Sequence, residues 1–114
     1  MMTFDDYQAA IEDMIPWSNF DDANDVVAHA MFGMSSEVGE VASILQHTYQ
    51  GRPIDRDHMK KELGDVLWFL TEMCYAYDFD LSDVAMTNYE KLHARFNGSK
   101  YNEKADNNRK EGYI

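Results

Sequence analysis

Apolar residues in this chain return every three to four positions, and strict apolar–polar alternation is absent. Helix breakers are sparse. Prolines stand only at 16 and 53, and glycines at 33, 39, 51, 64, 98 and 112. Few residues are β-branched, so the pattern predicts an all-α fold. Start and stop signals divide it into four helices, a bundle-like arrangement. The first begins after Thr3, with Asp6 completing a capping-box-like pair, and ends near Pro16. Residues 17–24 connect it to a second helix, which starts around Asp25 and runs to about Tyr49, where Gln50-Gly51-Arg52-Pro53 forces a turn. The third starts at Asp55 or Asp57 and reaches about Tyr77. The fourth, capped by Asp80 or Ser82, runs to about Phe96 before Asn97-Gly98 stops it.

The chain has 114 residues, enough for one packed core and too few for two. We therefore expect a single domain over residues 1–114, with its core at about 3–96 and a polar C-terminal extension at about 97–114 that holds one short helical turn. In the third helix, Val66-Leu67-Trp68-Phe69-Leu70 is apolar nearly all the way round and needs cover on more than one side. Four helices in a small monomer supply too little, which predicts a homo-oligomer, a homodimer or a dimer of dimers, with the third helix near the shared interface.

The charge balance narrows the partners. Twenty-one acidic residues oppose ten basic ones, for a net charge of −11. Bulk electrostatics therefore disfavour nucleic acid and anionic membranes, both of them polyanions. No lysine or arginine precedes Arg52, whereas six basic residues face three acidic ones from Lys91 onward. An acidic body with a basic C-terminal part suits a cation and an anionic ligand held together. The acidic N-terminus is unlike a signal peptide, and no apolar run approaches the roughly 20 residues that span a bilayer. A cytoplasmic protein is expected. The lone cysteine, Cys74, excludes an internal disulfide and reads as a small core residue.

On a helical wheel, Glu37 falls among Val26, Ala30, Met34, Val41 and Ile44, in the middle of the second helix's apolar face, with Glu40 at its edge. Glu62 falls likewise among Met59, Val66, Phe69, Met73 and Tyr77 of the third helix, with Asp65 at the margin near Trp68 and Glu72. Each of two helices thus turns an acidic pair, spaced i and i+3, towards the interior. A carboxylate in apolar surroundings must be protonated, paired or bound to metal. Four that converge need a positive charge between them. Lys60 and Lys61 project away from Glu62, so a salt-bridge network is the weaker account. All-oxygen ligands select a divalent cation, Mg²⁺ or Mn²⁺, rather than zinc. On the fourth helix Asn88, Lys91 and Arg95 share one stripe, and the two cations could hold the phosphates of a ligand that the metal also touches.

The motif Glu37-Val-Gly-Glu40, a 21-residue gap and Glu62-Leu-Gly-Asp65 resemble the ExxE…ExxD signature of MazG-type nucleotide pyrophosphohydrolases. These are all-α enzymes related to the dimeric dUTPases and to phosphoribosyl-ATP pyrophosphohydrolase. Asn88-Tyr-Glu-Lys91-Leu-His-Ala-Arg95-Phe and the tail from Lys100 to Arg109 are similar to that family too, and the resemblance covers about residues 25–110. It implies Mg²⁺-dependent hydrolysis of a nucleoside triphosphate to the monophosphate and pyrophosphate, a nucleotide-pool housecleaning role. It also implies metal binding and catalysis by Glu37, Glu40, Glu62 and Asp65, phosphate contacts by Lys91 and Arg95, a nucleotide contact by Asn88, and a phosphate contact by Lys104. Glu37 or Glu40 would orient or deprotonate the attacking water. Trp17, Phe20, Trp68 and Tyr101 are candidate walls for the base, although packing explains each of them singly.

A rival reading from another class is a non-catalytic helical oligomerisation module with a structural cation site. The four histidines, His29, His47, His58 and His93, form no HxxxH or HxH pair and read as exposed or capping residues. Only Glu90-Lys-Leu-His93 offers the Glu-x-x-His of a di-iron bundle, and Glu90 lies on the polar side. Gly33 and Gly39 read as close-packing or strain-tolerant positions within the second helix. No P-loop, dinucleotide-binding glycine pattern or serine–histidine–aspartate arrangement is present.

Overall fold

The computed structural model describes residues 1–97 and 100–108 and contains no strand among them. The helices are α1 (Phe4–Glu12), α2 (Ala23–Tyr49), α3 (Arg56–Ala76), α4 (Leu81–Arg95) and α5 (Glu103–Asn108), with a 3-10 turn at Trp17–Asn19. The chain forms two compact units, Met1–Asp80 and Leu81–Ile114.

The first unit is α1 to α3. At the start of α1 the capping box forms as expected: Asp6 N–H donates to Thr3 Oγ1 at 3.1 Å and Thr3 N–H to Asp6 Oδ2 at 3.0 Å. The helix ends at Glu12, earlier than the proline suggests, because the chain turns before Pro16. The Trp17 indole N–H then donates to the Glu12 carbonyl at 2.8 Å, satisfying one of the open acceptors at that helix end. Helix α2 starts two residues before Asp25. Asp22 is its cap and accepts from Asp25 N–H at 3.1 Å, while Asp25 Oδ2 accepts from Asp21 N–H at 2.9 Å. Gly51, at φ +89°, ends α2 in the left-handed conformation that glycine tolerates best. Asp55, not Asp57, caps α3 by accepting from His58 N–H at 3.0 Å. Asp78 (φ +56°) then turns the chain out of α3, and Phe79 N–H donates to the Cys74 carbonyl at 2.8 Å.

Three contacts fix how α2 lies on α3. His29 touches Glu72, Gly33 faces Phe69, and Glu37 meets Glu62 and Asp65. As α2 ascends, α3 descends, so the two helices run antiparallel. Gly33 is required for this seam: a Cβ there would sit 2.2 Å from Phe69 Cε1, inside the ring's van der Waals radius. A Cβ on Gly39 or Gly64 would meet nothing within 4 Å. The close-packing expectation therefore holds for one helical glycine and not for the other. Ile11, Ile15, Val26, Ala30, Ile44 and Cys74 are the buried hydrophobic residues of this unit, each stabilising it by up to about 2–3 kcal/mol according to size. Burial pushes the Cys74 thiol up, in keeping with a core role. Helix α1 is tied to the end of α3 through Gln8, whose amide donates to the Phe79 carbonyl at 2.9 Å and whose own carbonyl accepts from the Tyr75 hydroxyl.

In the second unit, α4 closes at Asn97 (φ +45°) and α5 is capped by Asn102, which accepts from Ala105 N–H at 3.0 Å. This short helix is the turn expected in the polar extension. Gly98, expected to help stop the fourth helix, and Arg109 lie outside the described residues. Among the described residues, no helix is long and apolar enough to cross a membrane.

Candidate metal centre

Antiparallel packing of α2 on α3 brings the two acidic pairs to the same level of the seam. One oxygen each from Glu37, Glu62 and Asp65 lies within 4.8 Å of the others. Glu37 and Glu62 are half-buried between the helices and Asp65 is exposed. Glu40 stands outside this trio on exposed surface one turn along α2, yet its charge still acts on Glu37. Crowding is the dominant electrostatic fact. The side-chain contact with Glu62, partial burial, and the charges of Asp65, Glu62 and Glu40 push the Glu37 carboxyl from its ordinary 4.5 up to about 7. Carboxylates so close ionise together only at a cost, which a counter-charge would relieve.

The nearby basic groups supply little of it. His58, one turn before Glu62, places Nε2 3.2 Å from Glu62 Oε1 on the exposed side of α3. Lys61 is turned away and pairs with Asp57 at 3.0 Å, as the wheel indicates. The donor set that remains is hard, all-oxygen and repulsive without a cation, which fits Mg²⁺ or Mn²⁺. A histidine contact to Glu62 was not anticipated. The signal in the sequence is the i, i+4 spacing of His58 and Glu62.

The other candidate residues have diverse settings. In the second unit, Asn88 and Lys91 are exposed on α4. Arg95 shares their stripe but is buried, with its guanidinium 3.8 Å from Asp106 and 5.7 Å from the Phe96 ring centre. Lys104 is exposed on α5, and Tyr101 is 69% exposed with its ring 5.4 Å from Phe96. In the first unit, Trp17 packs edge-on against Tyr75 at 5.6 Å and Phe20 at 6.5 Å, while Trp68 packs edge-on against Phe69 at 4.8 Å.

Sequence reasoning missed one further pair. Glu72 is fully buried, and its Oε1 lies 2.7 Å from Nδ1 of His29 on α2. Burial raises the Glu72 carboxyl, and the bond to His29 partly offsets this. The second oxygen, Oε2, is buried without a hydrogen-bond partner.

A chain whose described residues are all-helical and gather carboxylates across an antiparallel helix pair falls in the class of helical domains with an acidic cluster that could hold a cation. Comparison gives the family: a model of the MazG nucleotide pyrophosphohydrolase domain matches residues 27–98, and the chain belongs to that family. The match begins two residues before His29 and contains both acidic motifs together with Asn88, Lys91 and Arg95. The chain is also similar to the Gene 37 protein of Mycobacterium phage L5, at 28% identity over 101 residues that cover 82% of this chain and 89% of the phage protein. No solved structure matches.

Proposed function

We propose that the chain hydrolyses nucleoside triphosphates, ribo- or deoxyribo-, to the monophosphate and pyrophosphate, as a housecleaning enzyme of the cytoplasmic nucleotide pool. The observation that carries this reading is the trio Glu37, Glu62 and Asp65, within reach of one cation and repulsive without it. These three would hold Mg²⁺, with Mn²⁺ as a substitute. When bound, the cation would polarise phosphoryl oxygens and lower the pKa of a coordinated water. Glu40, outside the trio but close enough to act on Glu37, is the carboxylate we assign to orient the attacking water and take its proton. Lys91 and Arg95 hold the phosphates and stabilise charge on the pyrophosphate leaving group, with Lys104 adding a further contact. Asn88 contacts the nucleotide, and Trp17 and Tyr101 contribute apolar wall to the base. The family match includes residues of both units.

The enzyme is proposed to be a homodimer or a dimer of dimers. Met31, Val38 and Leu45 follow one another at seven-residue spacing on α2 and are 51%, 53% and 43% exposed. Ala28, Ser35 and Ala42 fall between them at the small positions of the same heptad. Such a seam matches a second copy of itself, and sedimentation at micromolar concentration reads the mass directly. For the chemistry, the test is pyrophosphate release from a panel of NTPs and dNTPs. Release that requires Mg²⁺ is the expected result, and a panel without turnover, with the cation present, would overturn the reading.

A further inference from the structure

We propose that His29, positioned by Glu72, is the side chain that reads the nucleobase, through a hydrogen bond donated by its Nε2 to a base carbonyl oxygen. The inference rests on the nucleotide pyrophosphohydrolase reading and deepens it. Placement comes first. His29 lies eight residues before Glu37 on α2, and Glu72 lies seven after Asp65 on α3. Because the helices are antiparallel, both displacements run the same way along the seam. At 1.5 Å per residue they amount to about 10–12 Å from Glu37 and Asp65. That is the scale on which a nucleobase stands from its own phosphates.

The surroundings suit a planar ligand. The His29 ring is flanked by Phe20 at 5.2 Å and Phe69 at 5.8 Å. Its side chain is 42% exposed although its partner Glu72 has no exposure at all. Nδ1 is therefore turned inward onto the carboxylate, and the exposed part of the ring is the far edge that carries Nε2. Among the described residues Nε2 has no hydrogen-bond partner.

Proton balance decides what that nitrogen offers. The donor role requires a couple that is neutral overall, which the cost of a net negative charge on the fully buried Glu72 favours; with Nδ1 alone carrying a hydrogen, Nε2 would accept instead. In either neutral form, imidazolium with carboxylate or imidazole with carboxylic acid, Nε2 carries a hydrogen. The Nδ1–Oε1 distance of 2.7 Å is that of a charge-assisted bond. As a donor, the solvent-facing group seeks an acceptor such as the carbonyl oxygen of uracil or guanine. Adenine has no such oxygen. Glu72 reaches no ligand itself. It is a positioning residue whose unpartnered Oε2 marks a group kept at some cost to the fold.

The experiment compares kcat/KM for UTP, GTP and ATP in the wild type and in His29→Ala, His29→Gln and Glu72→Gln, with thermal melting of each. The wild type is expected to favour UTP or GTP over ATP. In His29→Ala that ratio should fall about tenfold, and His29→Gln, which keeps an amide donor, should restore part of it. Glu72→Gln should shift the ratio in the same direction as His29→Ala by a smaller factor. Variants whose rates fall equally on all three nucleotides, or whose ratio stays at the wild-type value, would overturn the inference while leaving the hydrolase reading intact. A wild type inactive on every nucleotide would sink the hydrolase reading instead, and the inference with it.

Discussion

Two stations on the α2–α3 seam treat buried carboxylates in opposite ways. At the first, Glu37, Glu62 and Asp65 crowd together half-exposed, and the result is a carboxyl held near neutrality. At the second, two turns away, Glu72 stands alone with no exposure and faces a histidine at 2.7 Å. The single buried acid has one oxygen met by an internal partner and the other left without a hydrogen bond. Several acids in one place exceed what the local side chains provide and leave an opening for an external cation. The difference separates a cluster short of counter-charge from an acid whose counterpart is a neighbouring side chain.

Substitutions should break this contrast unequally. The largest effect is expected from Glu62→Gln, which removes a central member of the trio. Pyrophosphate release should fall at least about a hundredfold, while circular dichroism stays helical and melting without divalent cation does not drop, because a repulsive charge has gone. At the other station the sign reverses. His29→Ala leaves Glu72 buried without its partner, and should cost roughly 2 kcal/mol, less than a fully enclosed pair would because the ring is half-exposed. Thermal melting should read this as a drop of roughly 10 °C.

Between the stations, Gly33→Ala presses a methyl onto the Phe69 ring and should destabilise by about 1–2 kcal/mol, whereas Gly39→Ala should raise stability by roughly 0.5–1 kcal/mol in the isolated chain. Equal shifts in the two variants, read by urea titration, would contradict the seam described here.

The smallest effect is in pH. The Glu37 carboxyl sits above its ordinary 4.5 in the folded state, so its contribution is present in full below that value and is lost as pH rises through about 7. Cation-free protein should therefore lose a few degrees of melting temperature between pH 5 and pH 8 from this group. Added Mg²⁺ should restore more at pH 8 than at pH 5. A cation effect of the same size at both pH values would break the link between Glu37 and the ion.

Much of this was legible in the residues. Helical periodicity and sparse breakers gave α1 to α4, and acids among Val26, Ala30 and Ile44 or beside Val66 and Phe69 marked the inward faces. Helix starts were less secure where several acids compete: in the run from Asp21 to Asp25 each could cap, and the one that does is Asp22, which accepts from Asp25 N–H. The His29–Glu72 couple was hidden for another reason. It depends on the register of α2 against α3, which is set by Phe69 filling the space over Gly33, and neither wheel alone contains that information. Glu40 illustrates a finer limit, since a wheel puts it at the edge of the apolar face and only the packed pair of helices leaves it outside the trio.

The most direct test of the central claim is Mg²⁺ titration of the wild type and of Glu62→Gln by calorimetry near pH 6.5, in buffers of different ionisation enthalpy. Saturable binding to the wild type with release of protons, as Glu37 ionises onto the cation, is expected, together with binding weakened at least tenfold in Glu62→Gln. Absence of binding to the wild type, or the same affinity in both proteins, would contradict it.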